Sequence, residues 1–181
     1  MIKKIQNRLI TLSNLTKEFF VLILLSVPIF VVMSYFDHTE NQLVLATFMI
    51  VFSILKVYVF ISKTLKKMEI LTRNNHKMKH ILLFSIVIIF FINISFTLDY
   101  LCVSEIYKDS FVGLNLNQPL FLKFFDLLYF SIVTFTTVGY GDIFPFGKTV
   151  KILTILEMAT AFITIVFIIS RYTRYERNEK E

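Results

Sequence analysis

Little in this sequence can do covalent chemistry. Its 181 residues hold one cysteine, Cys102, which excludes an internal disulfide framework and any site built from several thiolates. Histidine occurs three times, and no nucleophile–base pair, metal constellation or glycine-rich phosphate loop is present, so an enzyme reading has no support and no resident cofactor is expected. Tryptophan is absent, proline occurs three times and glycine four times. Charged residues make up only 18% of the chain, too few to clothe a soluble domain of this size. What is there instead is apolar: 56% hydrophobic residues, 21 of them Phe, and a mean hydropathy of +0.70. The chain therefore reads as an integral membrane protein.

Four apolar runs, Phe19–Phe36, Leu43–Ile61, Ile81–Leu98 and Ile152–Ile169, are 18 or 19 residues long. A hydrocarbon core of ~30 Å takes about 20 helical residues, so each run can span. The first follows Lys3, Lys4, Arg8 and Lys17, but it is too long for a signal peptide and ends in no small-residue cleavage site; it reads as a retained helix, kinked at Pro28. The net charge of +6 is unevenly placed. Residues 1–18 carry four Lys/Arg, the 62–80 linker six and the 170–181 tail four, together 14 of the 19. Both termini and the linker are therefore expected in the cytoplasm, and no nucleic-acid partner is implied. Asp99, Glu105 and Asp109 fall in the opposite, outer segment 99–123.

A fifth apolar stretch, Leu120–Val138, would carry the basic tail outside if it crossed. It contains Lys123 and Asp126, and from Phe124 to Thr136 it offers only a short helix, with Asp126 in its first turn suiting the positive end of the dipole. The stretch reads as a re-entrant loop, entering and leaving on the outer side. Irregular backbone at membrane depth survives only when protein buries it or when it lines a water-filled path. The turn of the loop is Thr137-Val138-Gly139-Tyr140-Gly141-Asp142, with two of the four glycines two residues apart. Glycine reaches positive φ without steric cost, and alternating left- and right-handed residues bring successive carbonyls to one side. Carbonyls of Thr137, Val138, Gly139 and Tyr140 can then replace the water shell of a cation, with Val138 and Tyr140 turned outward.

The run from Phe125 to Asp142, and the hexamer TVGYGD above all, resembles the pore helix and selectivity filter of tetrameric potassium channels. The resemblance covers about Ile81–Arg171. It implies an all-α membrane protein of four transmembrane helices, with a pore helix and filter loop between the third and fourth. Residues 1–80 would form a two-helix region, 81–171 the pore module and 172–181 a short tail. It further implies a homotetramer in the plasma membrane that conducts K⁺ as permeant ion, coordinated at Thr137, Val138, Gly139 and Tyr140, with Gly141 completing the filter. A non-selective cation channel is the nearest alternative, and a non-conducting partner subunit is one of another class.

By the same resemblance Asp142 would stand at the outer mouth and gather cations, Tyr129 would donate its hydroxyl to Asp142, and Thr134 and Thr136 would lie at the base of the pore helix. Where many relatives have a buried carboxylate behind the filter, this chain has Val133. Glu157, an ionisable group inside the last apolar run and part of Ile155-Leu156-Glu157, is expected to accept from Thr134 or Thr136. Ala161 stands where many relatives have a hinge glycine, and Phe162, Ile165 and Ile169 would face the cavity. Lys56 is expected to snorkel to the cytoplasmic interface, six residues away. Cys102 reads as a buried small residue. The 62–80 linker reads as a continued helix with a basic face toward anionic inner-leaflet lipid, and His76 and His80, one helical turn apart, as titratable but without metal partners.

Overall fold

A computed structural model describes residues 42–73, 78–115 and 117–180. The run Phe19–Phe36, His76 and the side chains at 67–81 lie outside the described residues. Helix α1 is Gln42–Arg73 and α2 is Met78–Ile106. A two-residue strand β1, Phe111–Val112, leads to helix α3, Leu120–Phe135. Strand β2, Phe144–Pro145, precedes the last helix α4, Lys148–Lys180. Among the described residues three segments are long and apolar enough to cross a membrane: Leu43–Lys66, Leu82–Ile106 and Lys148–Thr173. They fall on three of the four apolar runs. Helix α3, at 16 residues, rises about 24 Å and is short of a crossing.

Helices α2 and α4 run antiparallel. The short sheet pins them at one end: Phe111 is paired with Pro145 and Val112 with Phe144, while the amides of Phe146 and Gly147 both donate to the Ser110 carbonyl. The chain between Ser110 and Gly147 thus returns to the point it left. Helix α3 hangs inside that loop against α2 and α4, and α1 lies against both as well. An aromatic triangle closes the junction. Tyr100 of α2 meets Phe111 of β1 edge-on at 5.7 Å, and Phe130 of α3 meets both, at 5.1 and 5.3 Å. Each such pair adds about 0.5–1.5 kcal/mol beyond the area it buries.

The ends of α3 carry their own logic. Pro119, which has no amide hydrogen to leave unpaired, is the N-cap residue. Because the helix begins at Leu120 and not at Phe124, Asp126 lies past the first turn; it accepts from the Gln118 side chain at 2.6 Å instead of meeting the end of the dipole. Lys123 is buried and paired with Glu105 of α2. At the other end, the Thr137 amide donates to the Thr134 carbonyl and the Val138 amide to that of Val133, both at 3.0 Å. That paired pattern is a Schellman cap, whose hinge residue must be left-handed and is usually glycine. Here the hinge is Thr137, at φ 60°.

Candidate functional site

Beyond the cap the left-handed state recurs at every second residue: Thr137 at φ 60°, Gly139 at 60° and Gly141 at 77°. A non-glycine residue in that region costs roughly 1–2 kcal/mol, so Thr137 is held there by its surroundings. The Gly139 amide also turns back to the Val133 carbonyl, at 3.4 Å. In a trans peptide the N–H and C=O point in opposite directions, and none of the described bonds is cis. The carbonyls of Thr137 and Val138 therefore point away from the end of α3. Among the described residues neither oxygen accepts a backbone hydrogen bond, and two oxygens so aimed suit a cation that has shed its water.

The strand that carries them is bare. Val138 is 53% exposed and Tyr140 71%, and a Cβ built at Gly139 or Gly141 would meet nothing within 4 Å. Among the described residues, the Tyr129 ring stacks parallel to that of Tyr140 at 6.4 Å. The Tyr129 hydroxyl donates to the Asp142 carboxylate at 2.8 Å. That bond holds the Asp142 carboxyl below its ordinary range.

Gly113, in the loop before α3, escaped the sequence reading altogether. It sits at φ 85°, and a Cβ there would lie 1.9 Å from the Asp142 carbonyl oxygen. The loop ahead of α3 thus touches the backbone that follows the glycine-jointed strand. Gly113→Ala is expected to cost about 1–3 kcal/mol by overpacking and to lower the yield of assembled protein, read by size exclusion in detergent. The signal that could have found it was its rarity: one of only four glycines, placed before a turn.

Glu157 is fully buried in α4, but its partners differ from those expected. It accepts from Tyr100 of α2 and from Ser131 of α3, both at 2.5 Å. Thr136 is unavailable to it, because its hydroxyl bonds back to the Ile132 carbonyl at 2.7 Å, and Thr134 lies one turn nearer the helix end than Ser131. The carboxylate so ties three helices together behind the strand. Ala161 is buried, and α4 runs through it unbroken, while Phe162, Ile165 and Ile169 lie on a face that the chain leaves uncovered.

Lys56 does not snorkel. It is 4% exposed and pairs with Asp99 of α2 at 2.6 Å, also donating to the Ser95 carbonyl at 3.2 Å. Asp99, expected in an outer segment, is instead inside α2 and accepts from Ser53 at 2.5 Å as well. Reaching the interface would leave that carboxylate alone among apolar helices, which costs more than burying the ammonium beside it. Cys102 is buried and unbridged.

Residues 81–178 match the pattern of a family described as ion channel. The chain is 43% identical over 70 residues to two-pore potassium channel 4 of Arabidopsis thaliana, covering 39% of this chain and 23% of that protein. It is 44% identical over 52 residues to potassium channel K2 of Plasmodium falciparum, 28% of this chain and 4% of that one. To two pore potassium channel a of Oryza sativa subsp. japonica it is 34% identical over 73 residues, 40% of this chain and 20% of that protein. The chain thus spans less than a quarter of the length of these curated relatives. No solved structure is significantly similar. With more than half of its residues inside the family pattern, and three helices among the described residues long and apolar enough to cross a membrane, the chain belongs to the ion channel family.

Proposed function

We propose that the chain is one quarter of a potassium-selective channel and that Thr137-Val138-Gly139-Tyr140-Gly141 is its filter. The observation that carries this reading is the alternation of left-handed residues at Thr137, Gly139 and Gly141, with amides turned back to Val133. K⁺ would be held between carbonyl layers from Thr137, Val138, Gly139 and Tyr140. The hexamer occurs once in the sequence, so one copy supplies one wall, and four copies about an axis would enclose an ion. The uncovered faces of Val138 and Tyr140 fit contact with neighbouring copies. The shared end point of Ser110 and Gly147 supports a re-entrant α3, whose C-terminal partial negative charge favours a cation in the central cavity. Thr134 and Thr136 stand at its base. The basic segments 1–18, 62–80 and 170–181 support a reading in which they face the cytoplasm of a cell-membrane protein, with the apolar run Phe19–Phe36 read as a fourth span and the 62–80 linker against anionic lipid.

Reconstituted in vesicles, the assembled protein is expected to pass K⁺ and Rb⁺ far faster than Na⁺. Equal rates would make it a non-selective cation channel, and no flux from well-assembled particles a non-conducting partner. Asp142 adds a pH signature. Its folded pKa is lowered, so its charge and the Tyr129 bond persist at neutral pH and are lost only as pH falls through that lowered value. Tyr129→Phe removes the bond and is expected to move the acid midpoint of K⁺ flux upward, toward the ordinary carboxylate range, read by titrating the outer solution.

A further inference from the structure

Two buried polar clusters lie on either side of α2 and meet at consecutive residues. Asp99 faces α1, where it holds Lys56 and Ser53. Tyr100, roughly 100° further round the helix, faces α3 and α4, where it donates to Glu157, which also holds Ser131. Ser131 lies on the helix whose terminal turn supplies the Val133 and Thr134 carbonyls that cap Thr137 and Val138. A short polar path therefore runs from α1 through α2 to the backbone of the glycine-jointed strand. Its side-chain links are directional bonds between buried groups, joined through the backbones of α2 and α3, and such bonds tolerate small displacements far less than apolar contacts do. Position 56 precedes the family-matched residues 81–178, so the path begins outside the region shared with that family.

We propose that α1 acts on the filter through this path: Lys56 and Asp99 fix the rotation and depth of α2, and Tyr100, Glu157 and Ser131 pass that position to α3. The proposal rests on the channel reading, with Lys56, Asp99 and Glu157 as positioning residues that never touch the ion. A pair serving only to hold helices together would change how much channel assembles and leave each assembled channel alone.

The test uses the full chain in vesicles, with flux normalised to assembled particles. The parent must first pass K⁺ in preference to Na⁺; if it does not, the functional reading fails, whatever the variants do. Lys56→Met with Asp99→Leu removes both charges and keeps the volume apolar, a change that buried pairs often tolerate. It is expected to change K⁺ flux per particle, or the K⁺/Na⁺ ratio, by about two- to thirtyfold. Tyr100→Phe keeps the ring and drops the Glu157 bond, and is expected to move the same quantity. Combined, the two changes are expected to be non-additive, because both cut one path. Should the apolar pair not assemble, Lys56→Gln with Asp99→Asn retains hydrogen bonding without charge and takes its place. Normal flux and selectivity in the neutralised pair, or strictly additive effects with Tyr100→Phe, overturn the proposal.

Discussion

Alanine at Gly139 or Gly141 is expected to yield channels that assemble but no longer distinguish K⁺ from Na⁺. Both residues sit at positive φ, 60° and 77°. An alanine held there costs roughly 1–2 kcal/mol. Nothing in the chain collides with the new Cβ, so the strand is free to relieve the strain by rotating out of the left-handed region. That rotation swings the adjoining carbonyl through a large arc, and a carbonyl that leaves the axis no longer substitutes for water. In the proposed assembly four copies would carry the change, so the strain would be about 4–8 kcal/mol per filter, of the order of a domain's entire stability. The packing of α2, α3 and α4 is expected to stand, because the buried core that joins them includes no residue of the 137–141 segment. Rb⁺ uptake by vesicles, competed with K⁺ or Na⁺, reads the outcome. Variants that keep the parental preference would show that these carbonyls do not line the path.

The parts legible in the sequence were those set by composition and local pattern. Three apolar runs lie in helices long and apolar enough to cross a membrane, because a hydrocarbon-length stretch has few alternatives to a helix. The alternate glycines stood out in a chain that has only four. What stayed hidden depends on which side chains meet across helices. Glu157 drew notice as an ionisable residue inside a span, but whether it meets Ser131 or Thr134 depends on the tilt and depth of α3, and neither is written in spacing. Thr137 was read for its carbonyl, not as the hinge of a helix cap, since a left-handed threonine runs against the preference that makes glycine a signal. Lys56 was misread for a related reason. Its distance from the helix end made snorkelling sufficient, and its true partner Asp99, 43 residues on, had been assigned to an outer segment by charge counting. The rule that positive residues mark cytoplasmic loops weighs Lys and Arg and says little about acidic ones.

Removing one member of the Lys56–Asp99 pair is expected to do more damage than any other single change to the buried charges. Both side chains are nearly inaccessible, at 3% and 4% exposure, with 2.6 Å between them. In Lys56→Met, the Asp99 carboxylate keeps, among the described residues, the Ser53 hydroxyl and no cation. In Asp99→Leu, the Lys56 ammonium is left, among the described residues, with the Ser95 carbonyl and the Phe52 and Phe96 rings but no anion. Stranding one charge of a buried pair costs about 3–5 kcal/mol. That is enough to remove most of the stability of an ordinary domain at the low end of its range. Each single variant is expected to lose most of its assembled particle on size exclusion and to melt at lower temperature in detergent. The combination Lys56→Met with Asp99→Leu is expected to recover assembly, because an apolar pair of similar volume has no desolvation cost to offset. Recovery would be the informative half: loss alone could come from misfitting methyl groups, whereas loss cured by a second loss requires that the charges see each other. Lys56 precedes the family-matched region and Asp99 lies within it, so neither segment satisfies its own charge in a membrane. The two must insert and pack together, and α1 is then a fixed part of the channel and not an appended anchor.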